Sequence, residues 1–379
     1  MRRRSFLQGS TILLFGQGLL ACGAKNQQTL SVELLKGSIP GQVVDKFQQS
    51  LQSKIGLNFV PLEQLQDLYQ QLQAWRDRPQ TTSQKRWGIP LSSSQKKAAD
   101  LITLGDYWLK TAIEEKLIQP LEIEKLKQWP VLPQRWQEIV TRNEQGLLDA
   151  RGKVWGAPYR WGTTVIVYRR DKFTRLGWEP VDWTDLWRPE LRDRISALDQ
   201  PREVIGLVLK KLGQSYNTQK IDSIANLEAE LRTLKPQVKF YSSTRYLEPL
   251  IMGDTWLAIG WSNDVLPVLG RYPQLQAVVP RSGTALWADL WVKPVTGKKD
   301  DLIYQWIDFC WLPNIANQIS LLTKTNSPIS TPITKFDIQT SLLKILIDNQ
   351  ELFAKSEFLL PLPSQVTAQY QSLFNTLKE

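Results

Sequence analysis

Strand and helix patterns alternate through residues 30–60, and that alternation limits the folds open to the chain. Leu30-Ser31-Val32-Glu33-Leu34-Leu35 reads as a strand, Gly41-Gln42-Val43-Val44-Asp45-Lys46-Phe47 leads into a helix, and Leu57-Asn58-Phe59-Val60 is extended again. Turn signals at Ser38-Ile39-Pro40 and at Gly56 separate the three. Two strands joined by a crossover helix imply a parallel sheet with helices on its faces, so an α/β fold is expected. At 379 residues the chain exceeds the ~250–300 beyond which a single core usually divides. Two α/β lobes are therefore expected.

The alternation continues. Residues 65–75 read as a helix, and 76–97, rich in Gln, Ser, Thr, Lys and Pro, read as a long surface insertion. Residues 99–104 form an apolar strand, after which Gly105-Asp106-Tyr107-Trp108 turns into a helix. Ligands of α/β sheets bind just past such strand ends. Residues 154–159 are extended, 163–168 are β-rich, and Trp161-Gly162 between them looks like a crossing between lobes. Trp183–Trp187 reads as a helix and 195–199 as a strand. The next helix carries Pro201 at its first position and Glu203 at its third, and Gly213 ends it. Further strands are expected at 256–260, 276–280 and 286–294.

The N-terminus has a different character. Met1 and three arginines precede a glycine-interrupted apolar stretch over 6–21, shorter than the ~20 apolar residues a spanning helix needs. It has the outline of a signal peptide. Arg3-Arg4-Ser5-Phe6-Leu7 resembles the twin-arginine export pattern, and Leu19-Leu20-Ala21-Cys22-Gly23 resembles a lipobox. Removal of residues 1–21 and lipidation of Cys22 are expected; the alternative is a cleavable signal in which Cys22 is an ordinary apolar residue. Firm anchoring needs more than one acyl chain.

Composition removes several kinds of chemistry. With no histidine, Ser-His-Asp and Cys-His nucleophiles and imidazole metal sites are excluded. Hydrolysis by a carboxylate pair remains open, because it needs only Asp and Glu. There is no glycine-rich phosphate loop, so no cofactor or metal is implied and the chain reads as a non-enzyme. Besides Cys22 there is only Cys310, in an apolar helix-like run, which reads as a buried small hydrophobe without a disulfide partner. The formal charge is +10, and loss of Arg2, Arg3 and Arg4 lowers it by three, to +7. The basic residues are scattered, which suits a solvated surface beside an anionic membrane better than a nucleic acid.

Three stretches carry a family resemblance: GKVWGAPYRWGTTVIVYRRDK at 152–172, WTDLWRPELRDRISALDQPREVIGLVLKKLG at 183–213, and LWADLWVKP at 286–294. In order and spacing they resemble the periplasmic spermidine/putrescine-binding proteins that feed ABC importers. The resemblance implies a two-lobed periplasmic-binding-protein fold, with crossing strands as a hinge and a ligand cleft between the lobes. It implies a first lobe from 22–160 plus 287–330 and a second from 161–286 plus 331–379. It also implies a monomer, tethered by its lipid outside the cytoplasm, that hands a small cationic, polyamine-like solute to an ABC permease.

A buried ammonium needs a carboxylate, because an unpaired buried charge costs roughly 3–5 kcal/mol. Aromatic faces add about 0.5–2 kcal/mol each. By the resemblance, Trp287 and Asp289 wall and grip the ligand; two apart on a strand, they share a face. Their alternatives are a core tryptophan and a turn-facing carboxylate. Glu203 matches an amine-binding glutamate, or else serves the helix start, with Gln200 at the cap. Trp261 matches a second wall tryptophan, with core packing as the alternative, and Tyr107 a tyrosine at a strand end. The expected ligand set is thus Tyr107, Gln200, Glu203, Trp261, Trp287 and Asp289.

The sequence also departs from that family's pattern. Gln200 replaces an aspartate, Leu35 and Ser38 a tryptophan and a tyrosine, Gly105 a serine, and Asn326 a tyrosine. These changes imply retained machinery with an altered ligand: a smaller diamine, another amine, or a compound with fewer charges. Asp106 or Asp264 could supply compensating negative charge. An anionic solute, a carboxylate-dependent hydrolase and a decayed cleft are the competing readings.

Overall fold

A computed structural model describes residues 28–52, 55–77, 97–297, 301–329 and 350–379. The expected signal segment with Cys22, and most of the insertion expected at 76–97, lie outside the described residues.

The chain opens on the expected parallel unit. β1 (Thr29–Leu35) and β2 (Gly56–Leu62) pair in parallel through the helix Gly41–Ser50, and β3 (Leu101–Gly105) flanks β1 on its other side. Three short strands, β4 (Ile118–Gln119), β5 (Thr141–Arg142) and β6 (Lys153–Val154), lead to β7 (Ala157–Arg169). A second parallel group follows, formed by β8 (Ile195–Ala197), β9 (Val238–Tyr241) and β10 (Leu257–Trp261). The remaining strands are β11 (Leu275–Val278), β12 (Ala285–Pro294) and β13 (Glu357–Phe358).

The main sheet runs β2-β1-β3-β12-β7-β10-β8-β9, so two parallel groups are joined through β12 and β7, which run antiparallel to their neighbours. β7 makes the junction. Its first half pairs with β12 and its second half with β10 and β11. Every residue from Ala157 to Tyr168 is buried, which fits a strand covered on both faces. Trp161-Gly162 falls in the middle of this single strand and not in a separate connection.

Two apolar clusters cover the sheet. One includes Val32, Phe47, Leu101, Trp291 and Trp306; the other includes Ile166, Phe173, Trp183, Ile205 and Phe374. Cys310 is buried in the first, as its apolar run suggested. Trp183–Trp187 is a 3-10 helix whose start is capped by Asp182, the side chain accepting from Trp183 N–H at 2.8 Å. Five residues between two caps leave little room for α-helical bonds.

The helix Pro201–Lys211 has proline at its start, as read from sequence, and its buried side packs on the C-terminal helix Ser364–Lys378. Gly206 lets Tyr216 lie against it: a Cβ there would meet the tyrosine ring at 2.0 Å. Arg202 ties this helix to the chain's end by donating to the carbonyls of Leu360 and Tyr216, at 3.1 and 3.2 Å, and to Asn217 Oδ1 at 2.9 Å.

Candidate functional site

Alternation along β7 builds the site. Residues 160, 162 and 164 share one face of that strand, and each meets an expected ligand residue. Across β12, Arg160 stands opposite Asp289 and Gly162 opposite Trp287; across β10, Thr164 stands opposite Trp261. The strip from Arg160 to Thr164 spans about 13 Å of strand. On the far side of β12, Asp289 faces Gly105 at the end of β3.

At one end of the strip lies a buried carboxylate that forms no ion pair among the described residues. Glu203, on the first turn of the helix Pro201–Lys211, accepts from Thr164 Oγ1 at 2.9 Å and from Trp261 Nε1 at 3.0 Å. Both donors are neutral. Burial pushes the Glu203 carboxyl above its ordinary range, while these two bonds and the charge of Arg202 favour its charged form. Among the described residues no lysine or arginine is ion-paired with it. The helix-start reading of Glu203 is not what the fold adopts, because its oxygens turn to Thr164 and Trp261. Gln200 does precede the helix, but its side chain makes no capping bond.

Trp261 is fixed at several points. Its backbone N–H donates to Tyr246 Oη at 3.1 Å, and that hydroxyl donates to Asp264 Oδ2 at 2.9 Å. Asn263 Nδ2 donates to the other Asp264 oxygen at 2.8 Å, so this acid already has two donors. Trp287, partly exposed, lies flat enough on β7 that a Cβ at Gly162 would meet its ring at 2.2 Å. Its Nε1 is buried with no described partner. Tyr107, just past β3, is 41% exposed and edge-on to Trp108; partial burial pushes its hydroxyl up, and the charges of Arg202 and Glu203 act on it in opposite directions.

The opposite end of the strip holds an internal ion pair. Arg160 Nε donates to Asp289 Oδ2 at 2.6 Å, and Nη2 lies 2.6 Å from the same oxygen; the two side chains are 5% and 2% exposed. Burial pushes the Asp289 carboxyl up and the guanidinium pulls it back down. Asp289 thus already has a cation from within the chain. Its neighbour Asp106 accepts from Ala288 N–H at 3.0 Å, and burial raises its carboxyl to about 7. Arg142, whose charge opposes that rise, is spent on the carbonyls of Ile139 and Gly146.

The other positions that departed from the resemblance are mostly buried. Ser38 is fully buried, Leu35 half-buried, and Gly105 borders Asp289. Asn326 exchanges backbone hydrogen bonds with Trp161, at 2.8 Å in both directions. A separate depression of about 550 Å³, lined among others by Phe47, Lys125, Tyr304 and Asp308, shares no residue with the strip.

Comparison with known proteins agrees with this architecture. The sequence pattern of the bacterial extracellular solute-binding proteins matches residues 96–346, well over half of the chain. The chain belongs to that family. Among relatives of the solute-binding protein, the putrescine-binding periplasmic protein PotF of Escherichia coli is 27% identical over 257 residues, covering 63% of this chain and 68% of PotF. A putrescine/cadaverine-binding protein of Pseudomonas aeruginosa is 28% identical over 248 residues, covering 62% and 70%. In structure, the spermidine/putrescine ABC transporter substrate-binding protein PotD of Streptococcus pneumoniae superposes with a TM-score of 0.75 at 21% identity, over 93% of this chain and all of PotD. A periplasmic thiamin-binding protein shares the fold too, at a TM-score of 0.57 and 17% identity over 95% and 98% of the two chains. The two-lobed periplasmic-binding-protein fold is thus the one expected from sequence, and its ligand is set by the side chains it carries.

Of the six expected ligand residues, the solute-binding protein brings Glu203 and Trp261 into direct contact and aligns Trp287 and Asp289 on the same strip. The sequence reading missed Arg160, Thr164 and Tyr246. A signal for two of them was available, since Arg160 and Thr164 flank Gly162 at period two on the crossing strand.

Proposed function

We propose that the protein is a membrane-tethered receptor that captures a polyamine or a related cationic amine between Trp261 and Trp287 and delivers it to an ABC permease. Glu203 is the observation that carries this reading. Its hydrogen-bond donors are neutral and the positive charge of Arg202 acts on it without an ion pair, and a buried charge without a direct partner is costly. An ammonium brought by a ligand supplies the missing charge, and two indole faces flanking it add cation–π attraction. The names of the relatives, which bind putrescine, cadaverine or spermidine, point to the same class of solute.

In this proposal Tyr107 and Gln200 border the amine end and the chain divides into the lobes 22–160 plus 287–330 and 161–286 plus 331–379, closing about β7 and β12. Export uses the twin arginines, and Cys22 carries the lipid that keeps the receptor beside its importer. The protein works as a monomer without cofactor or catalysis. Among the described residues no helix is long and apolar enough to cross a membrane, so attachment in this account rests on the lipid.

The test is calorimetric titration of the chain from residue 23 onward with putrescine, spermidine, simple monoamines and matched carboxylates. Saturable binding of at least one amine, lost in Glu203→Gln, is the expected outcome. Binding of carboxylates alone, or of no amine at all, would sink the reading. Metabolic labelling with a fatty acid tests the tether: label should appear in the parent and vanish in Cys22→Ser.

A further inference from the structure

The ion pair at the other end of the strip deepens that reading, and rests on it, by narrowing the class of amine. A diamine lying along the strip would carry its second ammonium from the Glu203 end toward Asp289. There it would meet the Arg160 guanidinium, which already lies 2.6 Å from Asp289 Oδ2 through two of its nitrogens. Both side chains are almost wholly buried, so solvent does little to screen the repulsion between two cations. The remaining acids at this end already lie in the field of an internal arginine. Asp264, bonded by the neutral donors Tyr246 and Asn263, feels the charge of Arg160 itself, and Asp106, which accepts the Ala288 N–H, feels that of Arg142.

We infer that Arg160 is a tethered stand-in for the second ammonium of a diamine, and that the site therefore accepts solutes with a single ammonium, seated at Glu203, and an uncharged remainder. Arg160 acts here as a specificity-determining residue. It satisfies Asp289 from within the chain and thereby makes a second positive charge on the ligand unfavourable, the repulsive half of specificity. Thr164 and Gly162, its neighbours on the same face, stay with the amine end and the indole wall.

The experiment compares putrescine with 1-aminobutane, which has the same four carbons and one ammonium fewer, by calorimetry on the parent chain and on Arg160 variants. The parent is expected to prefer 1-aminobutane by about tenfold or more, since juxtaposed like charges are strongly disfavoured at interfaces. Arg160→Met should reverse that preference by freeing Asp289 for the second ammonium. Arg160→Lys, which keeps the charge, should retain it. If Arg160→Met fails to fold, the double variant Arg160→Met/Asp289→Asn removes both charges and should bring the two amines to near parity.

The inference is overturned if the parent prefers putrescine, if the double variant keeps the parent's ratio, or if 4-aminobutyrate outcompetes both amines, which would make Arg160 an anion seat. The broader reading fails differently. In that case neither amine binds the parent or any Arg160 variant, whereas a failure of the Arg160 inference alone leaves amine binding intact and only the ratio wrong.

Discussion

Gly162→Ala isolates the geometry on which the site depends. The added methyl would sit 2.2 Å from Cζ2 of Trp287, 2.7 Å from its Cε2 and 2.5 Å from Ser262 Oγ. Carbon atoms pack at about 3.5–4.0 Å, so the indole must retreat by more than about 1 Å. Ser262 Oγ also accepts the Thr163 N–H at 3.1 Å, a buried bond that the displacement strains. Overpacking of this kind costs about 1–3 kcal/mol, and loss of that bond adds about 1 kcal/mol. Urea denaturation should show a lower midpoint with an unchanged slope, and amine affinity should fall because one wall of the site has moved. Combining Gly162→Ala with Trp287→Ala removes the obstructing ring, so the two changes should couple by about 0.5–3 kcal/mol, the pair costing less than the sum. Strict additivity, or a Gly162→Ala protein with parental stability and affinity, would refute the packing of Trp287 on β7.

Two further outcomes follow from buried groups outside the ligand contacts. Asp106 has its carboxyl raised to about 7 in the folded chain, above its unfolded value, so it binds a proton on folding at acid pH and that contribution is lost as pH rises through about 7. Relative to Asp106→Asn, which can still accept the Ala288 N–H, the parent should lose about 2–3 kcal/mol of stability between pH 5 and pH 8; parallel stability curves for the two proteins would contradict this. The Cys310 thiol is fully buried, and burial pushes its pKa up, so the native chain should resist a thiol reagent that modifies it once unfolded. Modification of the native chain at the unfolded rate would show that the core around Trp291 and Trp306 is open.

Much of the architecture was legible because it is local. The strand patterns near 30–35, 57–60 and 286–294 and the proline and glycine bounding 201–213 are written in neighbouring residues, and they fall within a few positions of the observed elements. The helix type at Trp183–Trp187 was not, because five residues cannot display a period that separates a 3-10 from an α turn. The partners of the site residues were harder still. Asp289 and Arg160 are 129 positions apart, and Glu203 lies 39 and 58 positions from its donors Thr164 and Trp261. Sheet register brings Arg160 to Asp289 and the placing of a helix start brings Glu203 to its donors, and no local pattern encodes either. A family pattern could supply Asp289 as a ligand residue, but it could not show that an arginine two positions before Gly162 had already taken its charge.

In the proposed mode of capture, Glu203 receives the ammonium of the amine. A crystal structure of the protein grown with a saturating amine tests it most directly. The expected result is a ligand between the indoles of Trp261 and Trp287, with its nitrogen within about 3 Å of a Glu203 oxygen and the Arg160–Asp289 pair unbroken. An amine bound elsewhere, or a Glu203 still held only by Thr164 and Trp261 beside an occupied site, would contradict it.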